Sequence, residues 1–270
     1  MKGTKSLAAA ACAGVLLLPI AASAQSADEW RFDALIYVYL PDVSGTTTFG
    51  RSGTSDSATV NADKILKNLN FAFMGTFDAS KGRWGLTNDL MYLDVGDSKS
   101  QTRDISIGGT RIPADASADV HLDLKGLVWT IAGTYEAVSD PQVRLQLLAG
   151  ARMLSARENL DWQVGGNVGP IPLPGRQGNG EAKIDNWDAI VGARGRLMFG
   201  SNREWFVPYY VDAGTGNSDL TWQAISGLGY SFKWGDAIVA WRYLDYNMKS
   251  GEKVQGINFN GPAIAVGFHW

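Results

Sequence analysis

The chain of 270 residues is 45% hydrophobic and 19% charged, with a mean hydropathy of −0.09 and a formal net charge of −3. This balance excludes a basic nucleic-acid binder and a disordered chain, and a single Cys excludes a disulfide scaffold. The mean hydropathy also argues against a bundle of membrane helices, each of which needs about 20 apolar residues, but it leaves a membrane location open.

The first 24 residues have the pattern of a cleaved secretory signal peptide. Two Lys residues precede the apolar stretch Leu7–Ile20, and Ala22–Ala24 supplies the small residues of a cleavage site. The apolar stretch is too short for a transmembrane anchor. We therefore predict export, with residues 1–24 removed and residues 25–270 forming one cysteine-free barrel domain that starts at Gln25.

After Gln25 the dominant pattern is the alternation of apolar and polar residues. It is clearest at 186–200, where Trp187 and Val191 share one face and Asp188 and Arg194 share the other, as in a strand. Applied to the whole chain, this alternation predicts ten strands, with ends uncertain by about three residues: 30–40, 69–79, 83–95, 125–137, 142–156, 185–199, 203–214, 218–233, 236–247 and 256–270.

Two of these strands are less regular than the others. In the third, Asn88 falls on an otherwise apolar face, and in the fourth the inward and outward positions switch near Lys125. The first long connection contains residues 62–69, which we expect to form one or two helical turns after Asn61. That helix packs on the rim, caps the mouth of the structure or enters the lumen.

The connections between the strands alternate in length. Residues 41–68, 96–124 and 157–184 are long, polar and Gly-rich, whereas the connections between them are tight turns. Transmembrane β-barrels have short turns at one end, longer loops at the other and an even number of strands. The fold class is therefore predicted to be all-β, a transmembrane antiparallel up-and-down β-barrel of ten strands, with eight or twelve as alternatives.

The position of the aromatic residues decides which face meets lipid. A soluble barrel or sandwich would place its apolar face inside. Aromatic residues concentrate instead near strand ends, as in membrane girdles. The short-turn end carries Trp30, Trp84, Phe199, Trp205, Trp234 and Trp270, and the other end carries Phe71, Tyr92, Trp187, Trp222 and Tyr243.

The last strand alternates apolar residues up to an aromatic terminus. Ile264, Val266, Phe268 and Trp270 form this pattern, which resembles the signal read by the outer-membrane barrel assembly machinery. Five stretches carry a wider resemblance: LQLLAGARM, NWDAIVGARGRLMFG, YVDAGTGNSDLTWQAISGLGYSF, WRYLDY and NGPAIAVGFHW. They resemble small Gram-negative outer-membrane barrel proteins of largely unassigned function. The resemblance implies the fold and the compartment, and it brings no catalytic residues.

Charged residues project to the inside of the predicted barrel. Because an isolated charge in a low-dielectric space is unfavourable, their near balance predicts networks of Arg and carboxylate groups across the lumen. The alternative is a solute path lined by the Arg residues, although ten strands leave little room for one. The lumen-lining candidates are Asp33, Asp78, Asp89, Glu136, Arg144, Arg152, Asp188, Arg194, Arg196, Asp212 and Arg242.

Catalytic interpretations are weak. His121 could act with Asp119 and Asp123, since alternate residues share a strand face, but a solvated loop explains these residues more simply. His269 points inward without an obvious Ser nucleophile nearby. Omptin-type surface proteases use His and Asp at the outer rim of a ten-stranded barrel, but little else in this sequence resembles them. We expect no enzyme activity, no metal and no cofactor.

Two functional hypotheses remain, both in the outer membrane of a Gram-negative bacterium. The first is a narrow channel for small polar or charged solutes, or a membrane-structural protein. The second is a surface binding module, in which the barrel anchors outer loops that engage a ligand, a partner or lipopolysaccharide. The expected partners are outer-membrane lipid, lipopolysaccharide and the barrel assembly machinery, and nucleic acid is not among them.

Overall fold

The computed structural model describes residues 29–49, 54–101, 106–107, 110–111, 116–168, 171–250 and 254–270. The predicted signal peptide and its cleavage site lie outside these residues. Within them, no helix has the length and apolar character needed to cross a membrane. The one helix in this part of the chain, α1, spans Ala62–Lys67.

All other regular structure in the described residues is β-strand. The strands in chain order are β1 (Trp30–Tyr39), β2 (Asp42–Phe49), β3 (Thr54–Val60), β4 (Leu69–Lys81), β5 (Trp84–Gln101), β6 (Ser106–Ile107), β7 (Thr110–Arg111), β8 (Ala116–Ser139), β9 (Val143–Val168), β10 (Ile171–Phe199), β11 (Trp205–Gly216), β12 (Ser218–Phe232), β13 (Gly235–Met248) and β14 (Val254–His269).

Ten of these strands form a closed antiparallel barrel in the order β1-β4-β5-β8-β9-β10-β11-β12-β13-β14. The barrel closes because β1 pairs with β14, from Asp33 opposite His269 to Tyr39 opposite Ala263. The predicted fold class and the predicted number of strands are confirmed. The end where β4, β8, β10 and β12 turn into the following barrel strand is called the short-turn end, and the opposite end is called the long-strand end.

The prediction that residues 96–124 and 157–184 are connections between strands was wrong for most of the described residues. β5 and β8 remain paired as far as Gln101 opposite Ala118, and β9 and β10 as far as Val168 opposite Ile171. Apolar alternation stops where a strand leaves the apolar band, whereas backbone hydrogen bonds continue without it. The loss of alternation therefore marked the membrane boundary and not the end of the strand.

The predicted switch of inward and outward positions near Lys125 was also wrong. The pairing of β8 with β9 runs without a shift from Ala116 to Glu136, and the single irregularity lies between Glu136 and Val138. Lys125 therefore shares the outward face with Leu127 and Trp129. It seemed to break the pattern because β8 becomes polar on its outward face above the aromatic residues.

The first long connection is partly ordered as well. β2 and β3 form a hairpin, and β2 pairs with the far end of β14. The helix expected after Asn61 is present as α1, with Ile65 buried. The amide of Ala62 donates to the Asp42 carboxylate at 2.9 Å, and the carbonyl of Asn68 accepts from the Gly96 amide at 3.0 Å. These contacts attach the segment to the rim.

The distribution of polarity is inverted relative to a soluble protein. Large apolar side chains on the outer face are among the most exposed, with Val191 at 66% and Ile264 at 61%. Charged inward side chains are among the most buried, with Asp188 at 1%. A continuous apolar outer band of this kind requires an apolar solvent, so the barrel is a transmembrane one.

Candidate functional site: the charged lumen

Strand parity places all eleven predicted lumen residues on the inward face. Most of them form ion pairs between strands. The separate pairs lie at different heights along the barrel axis. Arg144 differs because it is exposed at the short-turn end, where its carbonyl accepts the Tyr209 hydroxyl at 2.8 Å. Glu136 lies at the same end, 3.7 Å from the Arg31 guanidinium.

The deepest ion pair joins Arg152 on β9 to Asp212 on β11. Both side chains are fully buried, and the guanidinium donates to both carboxylate oxygens, with Nη1 to Oδ1 at 3.0 Å. The Thr130 hydroxyl accepts from Arg152 Nε at 3.2 Å, and the Tyr210 hydroxyl donates to Asp212 at 2.5 Å. This arrangement satisfies the paired charges by the two-pronged geometry that Arg favours.

A second pair crosses the lumen from Arg242 on β13 to Asp89 on β5. Arg242 Nη2 lies 2.8 Å from the carboxylate, and Tyr37 connects the two residues through hydrogen bonds of 2.8 Å to each. Gln223 accepts from two nitrogens of the guanidinium, and Thr76 donates to Asp89 at 2.9 Å. Because β5 and β13 lie on opposite sides of the barrel, this network spans its interior.

A third pair joins Arg194 on β10 to Asp78 on β4, closer to the short-turn end. The two guanidinium nitrogens lie 2.9 and 3.2 Å from the carboxylate oxygens. Thr87 and Gln146 accept further hydrogen bonds from Arg194 at 3.0 and 2.8 Å. The Arg–carboxylate networks expected from the balance of inward charges are therefore present in the described lumen.

A histidine cluster lies at the short-turn end and was not predicted. His269 Nδ1 lies 2.5 Å from Asp33, and its Nε2 lies 2.9 Å from Asp236. Arg196 and Ser231 also bind Asp236, at 3.1 and 2.6 Å. Both ring nitrogens of His269 are occupied by carboxylates, so the ring has no free nitrogen to act as a general base.

The sequence contained a signal for this cluster. Asp236 has the same parity as Arg242 on the predicted strand 236–247, and that parity alone assigns it to the lumen. The predicted lumen-lining residues omit Asp236, which lies at the first position of that strand beside the preceding turn. The contact of His269 with Asp33 depends on the pairing of the first and last strands, which a single sequence does not specify.

Asp188 serves a local structural purpose. Its carboxylate accepts hydrogen bonds from the Asn186 amide at 2.5 Å and from the backbone N–H of Ser218 at 2.8 Å. These bonds hold the start of β12 against β10. Among the described residues, no cluster of three or more His, Cys, Asp or Glu side chains could hold a metal ion.

An apolar layer also fills the lumen and was not predicted from the sequence. Buried side chains on the inward face form one cluster toward the long-strand end: Tyr37, Tyr39, Met74, Met91, Val128, Leu154, Leu244, Tyr246, Met248 and Ala265. Leu244 and Tyr246 are fully buried. Since every barrel strand has an apolar outer face, apolar residues are assigned to lipid by default, and those with inward parity are not distinguished by composition alone.

The aromatic residues predicted as girdles are placed on the outer face at two heights. At the short-turn end, Trp30, Trp84, Trp205, Trp234 and Trp270 are all exposed. Nearer the long-strand end, Trp187 contacts Trp129 and Trp222 contacts Tyr243, with ring centroids 6.1 and 4.7 Å apart. Together with the closed topology and the filled lumen, these positions define a transmembrane β-barrel protein.

The comparisons with known proteins return structures of this class. The chain is similar to Ail of Yersinia pestis (7% identity, 89% of this chain and 98% of that chain, TM-score 0.37). It is similar to the outer membrane protease OmpT of Escherichia coli (10% identity, 92% and 99%, TM-score 0.43). It is also similar to CarO of Acinetobacter baumannii (12% identity, 86% and 98%, TM-score 0.27).

No protein-family model matches the chain, and no curated protein matches it. None of the structural likenesses assigns a ligand, a substrate or an activity to this chain. The residues considered for catalysis, Asp119, His121 and Asp123, lie on the extended part of β8. Their side chains are outside those that the structure describes.

Proposed function

We propose that the protein is an outer-membrane barrel with a closed lumen, which anchors an extended sheet that binds a polypeptide at the cell surface. The observation that supports a closed lumen is the fully buried pair Arg152–Asp212, together with the network that crosses the barrel from Arg242 to Asp89. A guanidinium and a carboxylate held this way leave no hydrated path between them. The apolar cluster around Leu244 adds a second barrier.

The binding surface is the part of the sheet beyond the barrel at the long-strand end. There, β5, β8, β9 and β10 continue as a four-stranded sheet, while β11 pairs with β10 only from Asp188 onward. No described strand pairs with β10 between Ile171 and Asp185 on the side away from β9. An open edge of this kind binds an extended polypeptide by adding it as a further strand.

A truncation tests the binding proposal. Asn159 lies opposite Glu181, so residues 160–180 can be replaced by the two-residue turn Asn-Gly without a change in the strand register below. A phage-displayed peptide library is panned on vesicles containing either the full chain or the truncated one. Peptides enriched by the full chain alone support the proposal, while equal enrichment on both contradicts it. Heat-modifiable gel mobility verifies that both barrels are folded.

Planar-bilayer recording tests the closed lumen. We expect no conductance from the pure folded protein. The second candidate function, a narrow channel for small polar or charged solutes, is supported by the exposure of His269 and Asp33 at the short-turn end, where side-chain exposures reach 41% and 44%. That candidate requires conductance, either in the full chain or after deletion within residues 50–66. Steady single-channel currents would contradict the closed lumen and would support the narrow channel.

We propose that the outer membrane of a Gram-negative bacterium holds the barrel after removal of residues 1–24, with both termini periplasmic. The barrel assembly machinery would recognise the last strand through its terminal alternation up to Trp270. We assign no catalytic activity to the chain, and the proposal requires no cofactor.

A further inference from the structure

Three basic residues form a row on the outer face of the barrel, just above the aromatic residues of the long-strand end. In the strand register, Lys125 on β8 lies opposite Arg157 on β9, and Arg157 lies opposite Lys183 on β10. All three share the outward parity of Trp129 and Trp187, and all three are exposed. Directly opposed residues on neighbouring strands lie about 5 Å apart, so the three charges are contiguous.

Two carboxylates near this row form ion pairs with the lysines but none with the guanidinium of Arg157. Asp94 lies 3.3 Å from the Lys125 ammonium, and Asp185 contacts Lys183. Asp185 also accepts the Ser155 hydroxyl at 2.8 Å. Among the side chains that the structure describes, none lies within ion-pair distance of Arg157, and Asp185 attracts its guanidinium only at longer range. Like charges directly opposite one another destabilise a sheet, and a bound anion would offset this repulsion.

The height of the row matches a lipid headgroup. Lys125 and Lys183 lie four residues beyond Trp129 and Trp187 along the same strands, which is about 13 Å at 3.3 Å per residue. For a strand tilted by about 45°, this is about 9 Å along the membrane normal. Trp rings mark the boundary of the hydrocarbon region, and the headgroup layer begins there.

We propose that Lys125, Arg157 and Lys183 form a binding site for the phosphate groups of a phosphorylated glycolipid in the outer leaflet. The guanidinium of Arg157 binds a phosphate through two N–H groups, and the two ammonium groups flank it. Acyl chains of the same lipid contact the outward residues below, Leu127 and the Trp129–Trp187 pair. The site depends on the transmembrane barrel but not on the closed lumen or on the open edge of β10.

The binding of diphosphoryl lipid A to the pure folded protein in detergent tests the proposal, with native mass spectrometry to count bound lipids and measure affinity. We expect Lys125→Gln with Arg157→Gln to weaken binding by about tenfold or more, since charge-assisted phosphate contacts are lost. The matched control is Lys233→Gln with Arg203→Gln, which removes the same charges from exposed positions at the short-turn end. This control is expected to bind like the unmodified chain.

Two results would overturn the proposal. One is equal binding by the row variant and the control variant, which would show that the basic row does not hold the lipid. The other is loss of lipid binding on addition of inorganic phosphate at an equal concentration, which would make free phosphate the ligand. Heat-modifiable mobility of each variant verifies that a loss of affinity does not come from a misfolded barrel.

Discussion

Replacement of Asp212 by Asn gives a direct measure of how the lumen is held together. The substitution keeps the size of the side chain but removes the charge that compensates Arg152, and both side chains are fully buried. An uncompensated buried charge destabilises a protein by about 3–5 kcal/mol. The hydrogen bonds of Asp212 with Arg152 and Tyr210 support a value in that range, because three donor groups lose the charged acceptor.

The free energy of unfolding is measured by urea titration in lipid vesicles, followed by Trp fluorescence and by heat-modifiable gel mobility. A second variant, Arg152→Met in the Asp212→Asn background, removes the unpaired charge and is expected to recover most of the loss. The exposed pair Lys67–Asp63 on α1 supplies the control, with side-chain exposures of 74% and 60%. Asp63→Asn is expected to leave the unfolding midpoint unchanged.

A change in stability for Asp212→Asn no larger than that for Asp63→Asn would contradict a dry, buried charge pair in the lumen. That result would mean that water reaches Arg152 and solvates it when the carboxylate is lost. The lumen would then be hydrated, and the closed-lumen proposal would fail together with the stability prediction. A loss without recovery in the double variant would instead assign the effect to packing around Asn at position 212.

Gly229→Ala places a Cβ 2.2 Å from the Phe206 ring and should lower stability by about 1–3 kcal/mol in the urea titration, whereas Gly126→Ala meets nothing within 4 Å and should not. The buried hydroxyl of Tyr246 has no hydrogen-bond partner in the described part of the chain, so Tyr246→Phe should raise the urea midpoint; a lower midpoint would reveal a bound water. Mass spectrometry of the exported protein should give a chain that begins at Gln25; retention of residues 1–24 would contradict the signal peptide.

The sequence predicted the barrel well because membrane strands obey one simple rule. Between the two aromatic levels, the surroundings of the barrel are uniformly apolar. Outward residues such as Val191 are therefore apolar and inward residues such as Arg194 are polar, so the alternation reveals which face each residue occupies. The same rule gave the inward positions of the charged residues. It failed above the aromatic level, where Lys125 is outward and polar because the surroundings of β8 change while its backbone pairing does not.

The contacts inside the lumen were less predictable than the positions of the residues. The alternation along each strand predicts that Arg242 and Asp89 both point inward. It does not predict that they form a contact, since their strands lie on opposite sides of the barrel. Which charges pair depends on the tilt of the strands and on the register of every intervening pair. The contact between His269 and Asp33 follows from closure of the barrel between β14 and β1, and closure is a property of the whole sheet.

The open edge of β10 is restricted by its own sequence. Pro172 and Pro174 lie near the tip, and Pro has no N–H to offer to an added strand. The register with β9 also shifts between Leu173 and Arg176, so the backbone is irregular at the same place. Proline and irregular pairing are the means by which natural sheets protect an edge from indiscriminate pairing. An added strand is therefore limited to residues 176–185, which bear no proline and pair regularly with β9, and the peptides selected by the full chain should compete for that segment.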